Sequence, residues 1–290
     1  MEHIRIRRTL TRKLTHGILS APMLICCVPA ASVLGAESLS THSISGTRIV
    51  GKQDSDLPSP PASVIIGRKD TSALAALTKY VSQLSLNSIT GVQATGTFTD
   101  QFSSSPATLT YDNQGSVRLD VSADKGQTSI RMQGGYGAIL GPSGSKHTLT
   151  SETASGEWLP SPLLLLLKYN DPQTTVIDQG LVNTSNGTWR RITLAFPTLS
   201  PSASTQPTTI IDVYLDLSTN LLTKTVSSIR LDTRDRASYL QVVTIGSYRS
   251  QSGSLLPFNY SVSLNGQPQW TLQLDNVSLN PSLTHSYFRF

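Results

Sequence analysis

Two alternating runs joined by Asn265-Gly266 constrain this chain more than any other feature. From Phe258 to Leu264, and again from Trp270 to Leu274, apolar and polar residues alternate, which is the period of a strand with one buried face. Asn and Gly between them tolerate the positive φ that both central positions of a type I′ turn require. The pattern predicts a β-hairpin near the C-terminus, with Tyr260, Val262 and Leu264 on one face, opposite Leu272 and Leu274 or their neighbours.

Similar patterns run back along the chain. Thr71 or Ser72 can cap a helix carrying Leu74, Leu77, Val81 and Leu84, a spacing of three and four that puts all four on one face. Val92, Ala94, Gly96 and Phe98 then alternate with polar residues, as do Leu109 with Tyr111, and Val117 with Leu119 and Val121; Asp112 to Gly115 supplies a turn, so this stretch predicts a β-meander. Strands resume at Val176 and from Trp189 to Phe196. Ile211, Val213, Leu215 and Leu217 form a further alternating run, with Ser218-Thr219-Asn220 as its turn.

Between these strand groups stands Ser161-Pro162 followed by five leucines, Leu163 to Leu167. Ser suits the N-cap and Pro the first turn, and Asp171-Pro172 stops the helix. Five consecutive leucines leave it no polar face, so it is either buried in a core or forms the wall of a lipid-accessible cavity.

The N-terminus reads as an export signal over residues 1–36. Arg5, Arg7, Arg8, Arg12 and Lys13 precede an uncharged stretch from Gly17 to Ala36, which ends in the small-residue site Val33-Leu34-Gly35-Ala36. Pro22, Pro29 and a short apolar core argue against a permanent span. Both cysteines, Cys26 and Cys27, fall in this segment, and Ile25 is a poor neighbour for lipidation. The mature chain is therefore expected to have no disulfide or thiol chemistry. Removal of the signal leaves 18 basic against 17 acidic residues, a net charge of +1, so nucleic-acid binding loses its support. Residues 37–70, rich in Ser, Thr, Pro and Gly, read as a flexible leader, and 71–290 as one folded domain.

Signatures of catalysis fail on inspection. Gly141 to Thr148 echoes a phosphate-binding loop, but Ser145 replaces the glycine before Lys146, and His147 stands where a hydroxyl would hold Mg²⁺. His42, His147 and His285 have no partner at metal-helix spacing. Asp212 and Asp216 share one strand face, and the alternation assigns them to solvent rather than to a glycosidase-like pair. No catalytic residue, cofactor or metal is expected.

The C-terminal order is Tyr248-Arg249, Gly253, Leu256-Pro257, a strand, Asn265-Gly266, a strand, Asn280-Pro281 and Phe288. It resembles the C-terminal part of bacterial periplasmic proteins of the outer-membrane lipoprotein carrier (LolA-like) superfamily. The helix-then-meander order and the passage Asp216 to Leu221 are similar too, so the resemblance covers roughly Ser72 to Phe290. The strand of Arg118 resembles the family's strand with an Arg before an aromatic, except that Leu119 replaces the aromatic and the basic residue of the classical lid latch is missing.

The resulting reading is an exported, periplasmic α+β domain: a strongly curved antiparallel sheet forming an incomplete β-barrel, with both helices on its concave face. The resemblance implies binding of acyl chains or a lipidated protein, with Phe98, Leu109, Val117, Leu119, Leu164, Leu167, Ile192 and Leu194 as candidate lining residues. Two rivals stand beside it. One is an envelope-stress sensor of the RseB/MucB-like kind, which reports to a membrane-associated partner protein. The other is an exported β-rich module binding carbohydrate or protein through its loops.

Overall fold

The computed structural model describes residues 67–133, 135–149, 162–184, 187–197, 208–230 and 238–289. The export signal, nearly all of the leader and the Ser161 cap lie outside them. In chain order the elements begin with α1 (Thr71–Leu84), β1 (Gly91–Asp100), β2 (Ser104–Asp112), β3 (Val117–Ala123), β4 (Gly126–Gln133), β5 (Tyr136–Leu140) and β6 (Lys146–Thr148). Then come α2 (Pro162–Asn170), β7 (Thr175–Thr184), β8 (Gly187–Pro197), β9 (Thr208–Asp216), β10 (Leu222–Ile229) and β11 (Tyr239–Gly246). The last are β12 (Arg249–Gln251), β13 (Ser254–Leu256), β14 (Asn259–Leu264), β15 (Gln267–Leu279) and a 3₁₀ turn, His285–Phe288.

Thirteen of the strands form one curved, unclosed antiparallel sheet in the order β6-β5-β4-β3-β2-β1-β15-β14-β11-β10-β9-β8-β7, and β12 pairs with β13 separately. β15 is the hinge of this topology. It pairs on one side with β14 through the Asn265-Gly266 turn, where both residues have positive φ, and on the other with β1. The C-terminal hairpin thereby joins the first meander to the second strand group.

Both edges of the sheet are managed. β6 is three residues long and exposed, too short an edge to template further pairing. Beside β7, Val176 donates to the Arg68 carbonyl at 2.7 Å, and Asp70 donates from its backbone to the Val176 carbonyl at 2.8 Å.

α1 begins as its sequence pattern predicts, but its cap differs. Asp70 takes the N-cap position and makes no side-chain cap. Its carboxylate instead accepts from the Asp178 backbone at 3.1 Å, while Ser72 donates to the Asp178 carboxylate at 2.6 Å. The polar groups that could have closed the helix end on itself tie it to β7. Ala73, Ala76, Leu77, Tyr80, Val81 and Leu84 are its buried side.

The face of the sheet that shares one apolar core with α1 and α2 is the inner face; Val92, Ala94 and Phe98 mark it on β1, and Val117, Leu119 and Val121 on β3. The outer face of β1–β4 carries a strap made by the chain's last residues. Arg118 donates to the Tyr287 carbonyl at 2.9 Å and lies 4.2 Å from the centre of the Tyr287 ring, and Arg131 donates to the Arg289 carbonyl. Phe288 is buried beside them. Arg118 is thus occupied by its own C-terminal segment.

Gly141 to Thr148 forms the β5–β6 hairpin loop and strand β6 itself; in the loop Gly141 donates to the Ser145 carbonyl at 2.8 Å. A phosphate cradle would lead from a strand into a helix. Leu217 also departs from its alternation: it lies beyond the end of β9 and is 53% exposed.

Candidate functional site

Among the described residues, the inner face and the two helices share one large apolar core. Phe98 on β1, Leu109 on β2, Val117 and Leu119 on β3, and Ile192 and Leu194 on β8 are all buried in it. Cross-strand pairing aligns them in two groups: Leu109 faces Leu119, Phe98 faces Leu272, Ile192 faces Val213 and Leu194 faces Ile211. The two groups sit apart in the sheet order, and both belong to one core that also includes Leu163 and Leu165 of α2. Leu167 stands apart from the other candidates at 40% exposure, and the side chain of Leu164 lies outside the described residues.

Charge is segregated from this interior. Among the described residues the buried carboxylates are Asp120 and Asp212, and both alternate out of phase with the inner-face residues beside them. The inner face's own buried polar groups are neutral, including Thr225, Ser227 and Gln241; Ser227 donates to the Gln241 side-chain oxygen at 3.4 Å. An apolar wall with neutral polar groups suits an uncharged chain better than a charged one.

Asp212 is not the solvated strand residue that the alternation implies. It is 1% exposed; Arg191 Nη2 donates to it at 2.5 Å and Thr193 donates to its other oxygen at 2.5 Å, while Gln179 donates to Thr193 at 3.0 Å. The alternation misleads here because β9 is buried on both faces: Tyr214 and Val226 on the outer side are as enclosed as Val213 on the inner. Asp216 lies apart, as the last residue of β9, where its carboxylate accepts from the turn that follows. The Ser218 hydroxyl, followed by the Thr219 backbone N–H, holds its carboxyl below the ordinary range. The two carboxylates therefore do separate structural work, one pinning β8 to β9 and the other closing a turn.

The sequence pattern missed a group of tyrosines in the core. Tyr80 on α1, Tyr111 on β2 and Tyr260 on β14 are buried, and Tyr248, half-buried after β11, brings its hydroxyl to 3.3 Å from that of Tyr80. Tyr111 and Tyr260 stand in the apolar phase of their strands, where a phenol reads simply as another large side chain. A separate cleft of about 240 Å³ lies between the Asp112–Gln114 turn and Pro281 to Thr284. Among the described residues no three metal-ligating side chains cluster, and no helix is long and apolar enough to cross a membrane.

With this geometry in place, the chain can be set beside known proteins. No family model matches it, and no curated protein does. Among solved structures, a LolA superfamily protein from Nitrosomonas europaea aligns over 75% of this chain and 97% of its own, at 11% identity and a TM-score of 0.48. The chain is similar to LolA-superfamily structures. A DUF1329 family protein from Desulfovibrio piger aligns over 75% of this chain and 97% of its own, at 9% identity and a TM-score of 0.45. Lipoprotein LppX of Mycobacterium tuberculosis aligns over 74% of this chain and 98% of its own, at 15% identity and a TM-score of 0.28. The first of these belongs to the superfamily that the sequence resembles.

Proposed function

We propose that this protein is an exported binding protein that holds acyl chains, of a lipid or of a lipidated protein, between the inner face of its sheet and helices α1 and α2. The reading sets both helices on the concave side of the curved sheet and involves binding without catalysis. One observation carries it. α2 has five consecutive leucines and no polar face; it keeps Leu163 and Leu165, which lie on opposite sides of the helix, in the core and leaves Leu167, one turn beyond Leu163 on the same face, 40% exposed, so apolar surface runs from the core to the outside along that face. An acyl chain laid there gains about 0.8 kcal/mol for each CH₂ removed from water, so a carrier of this kind needs no further chemistry. Export is supported by the basic, uncharged and small-residue succession of residues 1–36.

Leu165 and Leu167 separate binding from folding. Leu167→Asp is expected to weaken uptake of a fluorescent fatty-acid probe by about tenfold while shifting stability by only about 0.5 kcal/mol, as a surface substitution does. Leu165→Asp is expected to lower stability by several kcal/mol, because it buries an unpaired carboxylate. Probe titration with parallel thermal melts checks both. Equal affinity in wild type and Leu167→Asp would remove α2 from the site.

A further inference from the structure

We infer that Arg190 anchors the oxyanion head, carboxylate or phosphate, of the acyl ligand at the rim of the inner face. The inference rests on the reading of the interior as an acyl-chain site and adds the chemical class of the ligand's polar end. Register places Arg190 beside open apolar surface. It pairs across the sheet with Leu181 on β7 and with Leu215 on β9, so all three side chains share the inner face. Leu215 belongs to the core, whereas Leu181 is 54% exposed. Leu217, 53% exposed, lies one step beyond the Trp189–Asp216 pair, where its backbone donates to the Thr188 carbonyl at 2.9 Å. The apolar core thus ends at a cation among uncovered leucines, which matches the head and first methylenes of an amphiphile.

A guanidinium carries five N–H donors in a fixed fork, and this one uses few of them. Nη1 makes one long hydrogen bond, to the Ser72 carbonyl at 3.4 Å, and Nε is enclosed without a hydrogen-bond partner among the described residues. The Asp178 carboxylate stands 3.6 Å from Nε, beyond hydrogen-bonding reach. Asp178 is engaged elsewhere. Ser72 donates its hydroxyl to one oxygen at 2.6 Å, and the Gly180 N–H donates to the other at 2.9 Å. Burial works against this carboxylate, yet the Ser72 hydroxyl, then the Gly180 N–H and only then Arg190 hold it below the ordinary range. Through Ser72 it also sits at the N-terminal turn of α1, whose partial positive charge favours an anion. Arg190 is therefore not its sole counter-charge, and with the side chain 33% exposed the fork stays open to a further acceptor. An oxyanion can take two parallel, charge-assisted hydrogen bonds from that fork, each about twice as strong as a neutral one. An ester carbonyl offers a single neutral oxygen. The neutral interior takes the chain, and the charge remains at the rim, where water still reaches.

The test competes decanoate, decyl phosphate and methyl decanoate, at pH 8, against N-phenyl-1-naphthylamine, an uncharged apolar fluorophore, bound to the mature protein. Both anions are expected to displace it at about tenfold lower concentration than the ester, and the tighter of the two identifies the source, fatty acid or phospholipid. Arg190→Met is expected to abolish that preference. Arg190→Lys, which keeps the charge without the fork, should retain only part of it. The fluorophore's own affinity should not change in either variant, which reports an intact interior. Equal displacement by anions and ester in the wild type, or an anion preference that survives in Arg190→Met, would overturn the anchor and leave the acyl-chain reading standing. Displacement by inorganic phosphate, which has no chain, would equally overturn the anchor. Failure of the wild type to bind the fluorophore would overturn both.

Discussion

Gly96→Ala is expected to destabilise the protein by about 3 kcal/mol or more, at the upper end of what overpacking costs. Gly96 sits on β1 where the register against β15 shifts, between Thr95 paired with Asn276 and Gly96 paired with Leu274. A Cβ built there would lie 2.0 Å from the Gln273 carbonyl oxygen and 2.7 Å from the Leu274 Cα. Both are backbone atoms of the neighbouring strand, so no side chain can swing aside. The strands must part where the first meander meets the C-terminal hairpin, a junction between segments nearly the whole domain apart in sequence. Urea unfolding of the two proteins measures the loss; a change below about 1 kcal/mol would mean that the bulge can absorb a methyl group.

Asp212→Ala is expected to cost about 3 kcal/mol, the lower end for breaking a buried ion pair. The carboxylate is enclosed, but the Arg191 side chain keeps 17% exposure, so the guanidinium left behind recovers some hydration. Thr193 would also lose its acceptor at 2.5 Å. Adding Arg191→Met to Asp212→Ala should recover much of the loss, because an apolar pair of similar volume carries no unpaired charge. A double variant as unstable as the single would place the cost in packing instead of charge. Denaturant melts of the single and double variants decide this.

The difference between what the sequence foretold and what it concealed follows from the range of each signal. The α1 spacing, the meander, the five-leucine helix and the Asn265-Gly266 turn are set within a few residues, and each appears where its pattern puts it. The assignment of Asp212 to solvent failed because alternation assumes one wet face, and β9 has none. Arg191 and Thr193 identify its partners only once β8 is laid against β9 in register. Arg118 has a similar history: the residue was noticeable in the sequence, but its neighbour Tyr287 lies 169 residues away. The tyrosine group is invisible for the same reason, since its members lie on four segments, and Tyr111 and Tyr260 satisfy the local apolar pattern of their strands. Of the eight candidate lining residues, six are buried in the core, which periodicity foretells for any inward apolar residue. Leu167 was chosen for its place in the leucine run and reaches the surface, because so short a helix cannot turn all its leucines inward.

The central claim, that the interior between sheet and helices holds acyl chains, is tested most directly by native mass spectrometry of the exported protein purified without detergent. The account predicts, beside the bare polypeptide, adducts whose masses match acyl-bearing lipids, released on collisional activation and recovered by organic extraction. A single species at the polypeptide mass that also takes up no added lipid would contradict it.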